Sequence, residues 1–334
     1  MTHIRAVLIA LAALGGWTAA GGAQTRVTFA TDWKAQAEHG GFYQAVATGL
    51  YARQGLEVTI RMGGPGIDTQ RLMAAQAVDL AMASNNFFAL NLVRAGANAT
   101  TIMAVFQKDP QILMAHPRDD VRSLADMKGK PIMLASGSVS TFWVWLKAKY
   151  GFEDSQIRQY TFNMAPFIVD KNGIQQGYLS SEPFLVQKES GMTPKVFLLA
   201  DSGWPSYSCM VLASDRLIQE QADRVQAFVN ASIEGWYGYL YGDPAPANAL
   251  IKRANPEMTD ETLAYGLAKM KEYGVVDSGD AITLGIGAMT EARWQDFFAS
   301  MAKEGAYPAD LPWRQAFTTR FVNKRHGIEL RRSP

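Results

Sequence analysis

Cysteine is almost missing from this chain: Cys209 is the only one in 334 residues, so no internal disulfide can form and stability has to come from a large apolar core. Charge of one sign is missing too. Lysine and arginine total 32 against 31 aspartate and glutamate, and no basic run supplies the footprint of a nucleic-acid or anionic-lipid partner. Long hydrophobic stretches are lacking, since Ala6–Leu14 falls well short of the ~20 residues that a bilayer span requires. Preceded by Arg5 and followed by small residues ending in Gly21, Gly22 and Ala23, that run reads instead as an export signal cleaved after Ala23. The expected location of the mature chain is a periplasm, with no cysteine placed after the signal to carry a lipid anchor.

Several chemistries lack their residues. Besides His39 the mature chain has only His116 and His326, without metal-ligand spacing, so no metal and no cofactor is expected. No P-loop, nucleophile elbow or zinc helix is present. Cys209, followed by apolar Met210–Leu212, reads as a buried strand thiol. Catalytic residues are therefore not assigned.

What is there is an alternation of short β-rich runs and amphipathic helices, the pattern of sheets covered by helices. Strands are expected at Arg26–Ala30, Leu56–Arg61, Leu80–Ala83 and Thr100–Phe106. Helices are expected at His39–Gln54, Ile67–Gln76 and Asn86–Ala95. A second α/β run supplies strands at Pro131–Ala135, Ile157–Phe162 and Lys195–Ala200, with a helix at Val139–Tyr150. From Ser214 onward the chain is mostly helical, with Ser214 and Thr259 as N-caps. A chain that builds one lobe, crosses to a second and returns has two connections, here near Phe106–Pro117 and Ala200–Ser208. The expected division is residues 24–110 plus 208–334 for one lobe and 111–207 for the other, hinged by two strands, with ligand held in the cleft at the strand ends.

Particular residues then match a family. The segment Thr31, Asp32, Trp33, then Glu38 to Ala45 (with His39, Gly40 and Gly41), on through Gly49, Leu50, Tyr51, Gln54, Gly55 and Leu56, resembles the opening of the thiamine-precursor-binding periplasmic proteins. That superfamily also includes binding subunits of sulfonate, nitrate and riboflavin importers and a fungal pyrimidine synthase. Gly63, Gly64, Pro65 and Gly66, the stretch Val78–Asn85, and Leu124, Asp126, Lys128, Gly129 and Lys130 extend the likeness to about Gln226. The resemblance implies a type II periplasmic binding-protein fold that closes on a small solute, most suggestively an aminopyrimidine of thiamine salvage, and docks on an ABC permease. The synthase's cysteine-rich iron-binding segment has no counterpart here, so its activity is not carried over.

Candidate ligand contacts follow from strand ends and turns. Asp32 and Trp33 offer a carboxylate for amino groups and a flat indole for stacking; the competing reading makes Trp33 core and Asp32 a turn cap. His39 opens a helix whose dipole favours the neutral imidazole, and Gly40 and Gly41 would let a ligand approach backbone amides. Gly64 lies in a turn whose amides can line the cleft. Ser84 and Asn85 suit an uncharged polar ligand, although capping explains them equally well. Ser136 and Ser138 present hydroxyls at a strand-to-helix turn, and Asn163 follows a strand. Glu182 would meet a ring amino group, or else cap its helix. Trp204, with Tyr207, would close over the ligand or pack the hinge. Because these candidates include carboxylates and no placed cation, a neutral or weakly cationic solute is favoured over a sulfonate, with Arg61 and Lys34 keeping an anion open. A pyrimidine-metabolising enzyme on the same fold and a sensor that presents ligand to a receptor remain alternatives, and the chain is expected to act as a monomer.

Overall fold

A computed structural model describes residues 24–331; the export signal expected before Gln24 lies outside them. Ten strands form two five-stranded sheets. The first contains β1 (Thr25–Ala30), β2 (Leu56–Arg61), β3 (Leu80–Asn85), β4 (Ala99–Phe106) and β10 (Ser208–Ser214), in the order β2-β1-β3-β10-β4. The second contains β5 (Gln111–Ala115), β6 (Ile132–Leu134), β7 (Ile157–Gln159), β8 (Ile174–Tyr178) and β9 (Lys195–Leu198), in the order β7-β6-β8-β5-β9.

The two orders are one pattern used twice. In each sheet the strand that arrives directly after a crossing inserts antiparallel between two others: β5 against β8 and β9, β10 against β3 and β4. The remaining pairs, β1 with β2 and β3, and β6 with β7 and β8, are parallel. Two α/β lobes with a type II periplasmic-binding-protein topology result, and the carboxyl ends of β1, β3, β6 and β8 meet at the cleft.

Local chemistry starts the helices where the sequence placed them. Asn85 accepts from the Phe87 amide at 3.1 Å and opens helix Asn86–Arg94; Ser214 accepts from Leu217 and Thr259 from Thr262, both at 3.2 Å. Two expected helices are interrupted. His39–Gln54 breaks into Gly40–Ala47 and Leu50–Arg53 because Gly49 takes φ 70°, and Val139–Tyr150 begins properly only at Phe142. The strand expected over Ile157–Phe162 stops at Gln159.

The first lobe also carries the helical carboxy-terminal part. Its longest helix, Ala222–Tyr241, crosses Gly40–Ala47 so closely that a Cβ on Gly41 would lie 2.2 Å from the Trp236 ring and one on Gly40 2.1 Å from that of Tyr239. These glycines therefore serve helix packing, which corrects the expectation that they expose amides to a ligand. Phe29, Phe42, Phe228 and Trp236, each fully buried, form the aromatic centre of this crossing, where every such side chain contributes roughly 1.5–3 kcal/mol by leaving water.

Candidate functional site

Between the lobes lies a cavity of about 450 Å³. Of the residues singled out from sequence, Asp32, Trp33, His39, Gly64, Ser84, Asn85, Ser136, Ser138 and Glu182 all line it. Two do not. Asn163 is exposed, outside the cavity lining, and its carboxamide oxygen accepts from the Ala165 amide at 2.9 Å in a local turn. Trp204 is 2 % exposed and lies behind the cavity, its indole donating to Asp109 at 2.8 Å while its ring packs on Trp145 and Phe297. Of the two roles open to Trp204, the hinge is the one it fills. Tyr207 is fully buried beside it, its hydroxyl accepting from the Thr290 amide at 3.0 Å.

The carboxyl groups organise the site. Asp32, just past β1, accepts from Ser84 at the end of β3 and has the His39 imidazole Nε2 at 3.7 Å from its second oxygen. His39 Nδ1 is buried and has no partner among the described residues. Glu38, which sequence reading passed over, sits in the short turn Ala37–His39 and is 4 % exposed. Its carboxyl accepts from Ser180 of the opposite lobe, a hydrogen bond that exists only while the lobes are together. Glu182 opens helix Glu182–Ser190 and accepts from the Tyr178 amide at 2.7 Å and from Ser181. It lies directly over Gly177, where a Cβ would come within 2.7 Å of the Glu182 side chain, so β8 needs glycine at this position. Burial pushes the Glu38 and Glu182 carboxyls above the usual range against the pull of these donors; the nearby Asp32 charge adds to the cost of ionising Glu38, and the Glu38 charge to that of Glu182.

Polar and aromatic walls complete the cavity. Gln111 and Gln176, from β5 and β8, turn their amides inward; Gln176 accepts from the Ala135 amide at 2.7 Å through its oxygen, which fixes the orientation of the carboxamide. Trp33 from the first lobe meets Phe162 from the second with ring centroids 4.6 Å apart and planes at 49°, and Tyr160 stands 5.0 Å from Phe162. Phe162 adopts φ 63°, a conformation that bulky L-residues avoid, and is 42 % exposed while lining the cavity. Backbone strain held at a cleft is a mark of a functional position. Phe162 carried no sequence signal of its own because it falls inside an expected strand, and Glu38 stands in the family-like segment just before the expected helix without a role assigned to it.

Among the described residues, no lysine or arginine lines the cavity. Lys34, which kept an anionic ligand open, pairs instead with Glu257 at 2.6 Å. The short segment Ser136–Val139 supplies hydroxyls, with the Ser138 amide bonded to Ala135 rather than left for a ligand. Chemically the arrangement is rich in hydrogen-bond acceptors, flanked by flat rings, and closed from both sides.

The two lobes and the cavity between them define a periplasmic-binding-protein fold with a small-molecule cavity at its cleft. More particularly, the chain belongs to the family described as NMT1/THI5 like, which it matches over residues 36–247. Relatives include a riboflavin-binding protein, RibY, of Chloroflexus aurantiacus, 24 % identical over 304 residues that cover 89 % of this chain and 86 % of that one. A formylaminopyrimidine-binding protein of Halalkalibacterium halodurans is 24 % identical over 257 residues, covering 72 % and 76 %. Among solved structures, the periplasmic aliphatic sulphonate-binding protein SsuA of Escherichia coli superposes with a TM-score of 0.66 at 12 % identity, over 87 % of this chain and 91 % of that one. The desulfurization enzyme DSZB superposes with a TM-score of 0.54 at 11 % identity, over 92 % and 100 %. These likenesses show the shared fold, which serves binding proteins and an enzyme alike.

Proposed function

We propose that this chain is the periplasmic, monomeric solute-binding subunit of an ABC importer, and that it captures a neutral or cationic nitrogen heterocycle bearing amino or ring N–H donors. A thiamine-precursor pyrimidine or a flavin is the class in view. The observation that carries the reading is the cavity's polarity: Asp32, Glu38 and Glu182 converge on it, Trp33, Tyr160 and Phe162 wall it, and among the described residues no cation lines it. A sulfonate placed there would lose its hydration without gaining a positive partner, whereas an aminopyrimidine edge would satisfy buried carboxyl oxygens that are costly to leave alone. The relatives named for riboflavin and formylaminopyrimidine both take ligands of this chemical kind, and the volume falls in the ~300–1,000 Å³ range of small-molecule sites.

Binding without covalent change fits the same residues. Burial drives the Cys209 thiol well above its ordinary range, opposite to what a nucleophile needs, and the Ser84 hydroxyl is bonded to Asp32 rather than to His39. The test is thermal stabilisation by a panel of aminopyrimidines, riboflavin, alkanesulfonates and nitrate. Saturating heterocycle should raise the melting temperature in step with concentration and remain chemically intact. Stabilisation by the anions alone, or conversion of the heterocycle to product, would overturn the reading.

A further inference from the structure

Capture between lobes requires that they meet at one angle, and the residues that fix the angle lie behind the cavity. The chain crosses between sheets twice, from Phe106 to Gln111 and from Leu198 to Ser208. Asp109 on the first crossing accepts the Trp204 indole N–H of the second, which ties the crossings to each other. The first crossing is then tied to the loops between the carboxy-terminal helices of the first lobe. Gln107 and Lys108 donate their amides to Val275 at 2.8 and 3.1 Å, and the Gln107 side chain donates to the Ala288 carbonyl at 2.9 Å.

The convergence point is Arg293, on helix Glu291–Lys303. Its guanidinium donates to the Gln107 carbonyl on the first crossing and to the Pro205 and Ser206 carbonyls on the second, the latter two at 3.3 and 3.1 Å. It also lies 3.9 Å from the centre of the Tyr207 ring. A planar fork with donors on several nitrogens in fixed directions suits holding carbonyls of two separate segments at once. We propose that Arg293 is a positioning residue for ligand capture: it pins both crossings to the first lobe, so that Glu38 and Glu182 arrive at one cavity when the lobes close. The proposal assumes capture between the lobes and does not depend on which ligand is captured.

The test reads lobe geometry directly, without ligand. Spin labels are placed on the exposed positions Arg53 and Glu189 through Arg53→Cys and Glu189→Cys, one on each lobe, and the distance distribution of ligand-stripped protein is measured. Arg293→Met should give a distribution roughly twice as broad as wild type, because the open and closed populations are no longer constrained by a common pin. Arg293→Lys keeps the cation over Tyr207 and should fall between the two. Met301→Ala, a fully buried position on the same helix, should lower the melting temperature and leave the distribution at wild-type width. Wild-type width in Arg293→Met, or equal broadening in Met301→Ala, would overturn the proposal. Should Arg293→Met fail to fold, Arg293→Lys, which loses the planar fork and keeps the charge, decides by the same reading, and wild-type width there would overturn the proposal.

Discussion

In the first lobe Glu38 sits in a single tight turn and directs its carboxyl across the cleft to Ser180, whereas in the second lobe Glu182 accepts from its own neighbours, Ser181 and Tyr178. One acceptor is completed by closure; the other is built in advance. The same contrast runs through the aromatic wall, where Trp33 follows a regular strand and Phe162 is held in a strained conformation opposite it. The lobes reuse one strand order, yet the first, braced by the carboxy-terminal helices, is the platform, and the second presents a preformed half-site to it.

The comparison is broken most severely at the preformed half-site. Glu182→Ala should weaken binding of an amino-bearing heterocycle by about 2–5 kcal/mol, the cost of truncating one partner of a buried charge-assisted contact, as read by calorimetric titration. Glu38→Gln should weaken it less, because its carboxamide can still accept from Ser180. Equal losses would mean that the lobes do not differ in this way.

The platform is tested by stability rather than affinity. A Cβ on Gly235 would lie 2.2 Å from the Gly41 carbonyl, so Gly235→Ala should cost about 1–3 kcal/mol or more in denaturant unfolding. A smaller effect is expected at the mouth. Phe162→Asn relieves the φ 63° strain, since asparagine tolerates the left-handed region, and removes an aromatic contact worth about 0.5–1.5 kcal/mol. Affinity should fall while melting temperature holds or rises; a fall in both would mark Phe162 as ordinary packing.

A pH effect is expected at the hinge. Burial raises Asp109 from 3.8 to about 7, so the folded state holds a proton that the unfolded chain has released, and stability declines as pH climbs from about 4 to about 7. Asp109→Asn cannot release that proton and should flatten this part of the profile of melting temperature against pH. An unchanged slope would assign the decline to other groups, with the Glu38 and Glu182 carboxyls, also raised by burial, the first to examine.

Much of this was legible in the sequence because strand ends are cleft positions in such sheets: Asp32, Ser84 and Asn85 stand at such ends, and the family resemblance adds weight for Asp32. What escaped had physical reasons. β8 reads Ile-Gln-Gln-Gly-Tyr, without the β-branched alternation that marks a strand, so Gln176 and Tyr178 were never candidates. β5 is buried at every position and looks like part of a connection, which hid Gln111. Trp204 carried the aromatic signal of a binding residue, but its partner Asp109 lies 95 positions away, a pairing that only the crossing geometry creates. Gly40 and Gly41 signalled close approach correctly, and the approaching group was a helix rather than a solute.

Calorimetric titration of ligand-stripped protein with an aminopyrimidine, riboflavin and an alkanesulfonate, repeated on a Glu38→Gln, Glu182→Gln double variant, addresses the acceptor-rich cavity most directly. Saturable heat with a heterocycle, none with the sulfonate, and loss of binding in the double variant are expected. Sulfonate binding as tight as any heterocycle, or a double variant that binds the heterocycle unchanged, would contradict the account.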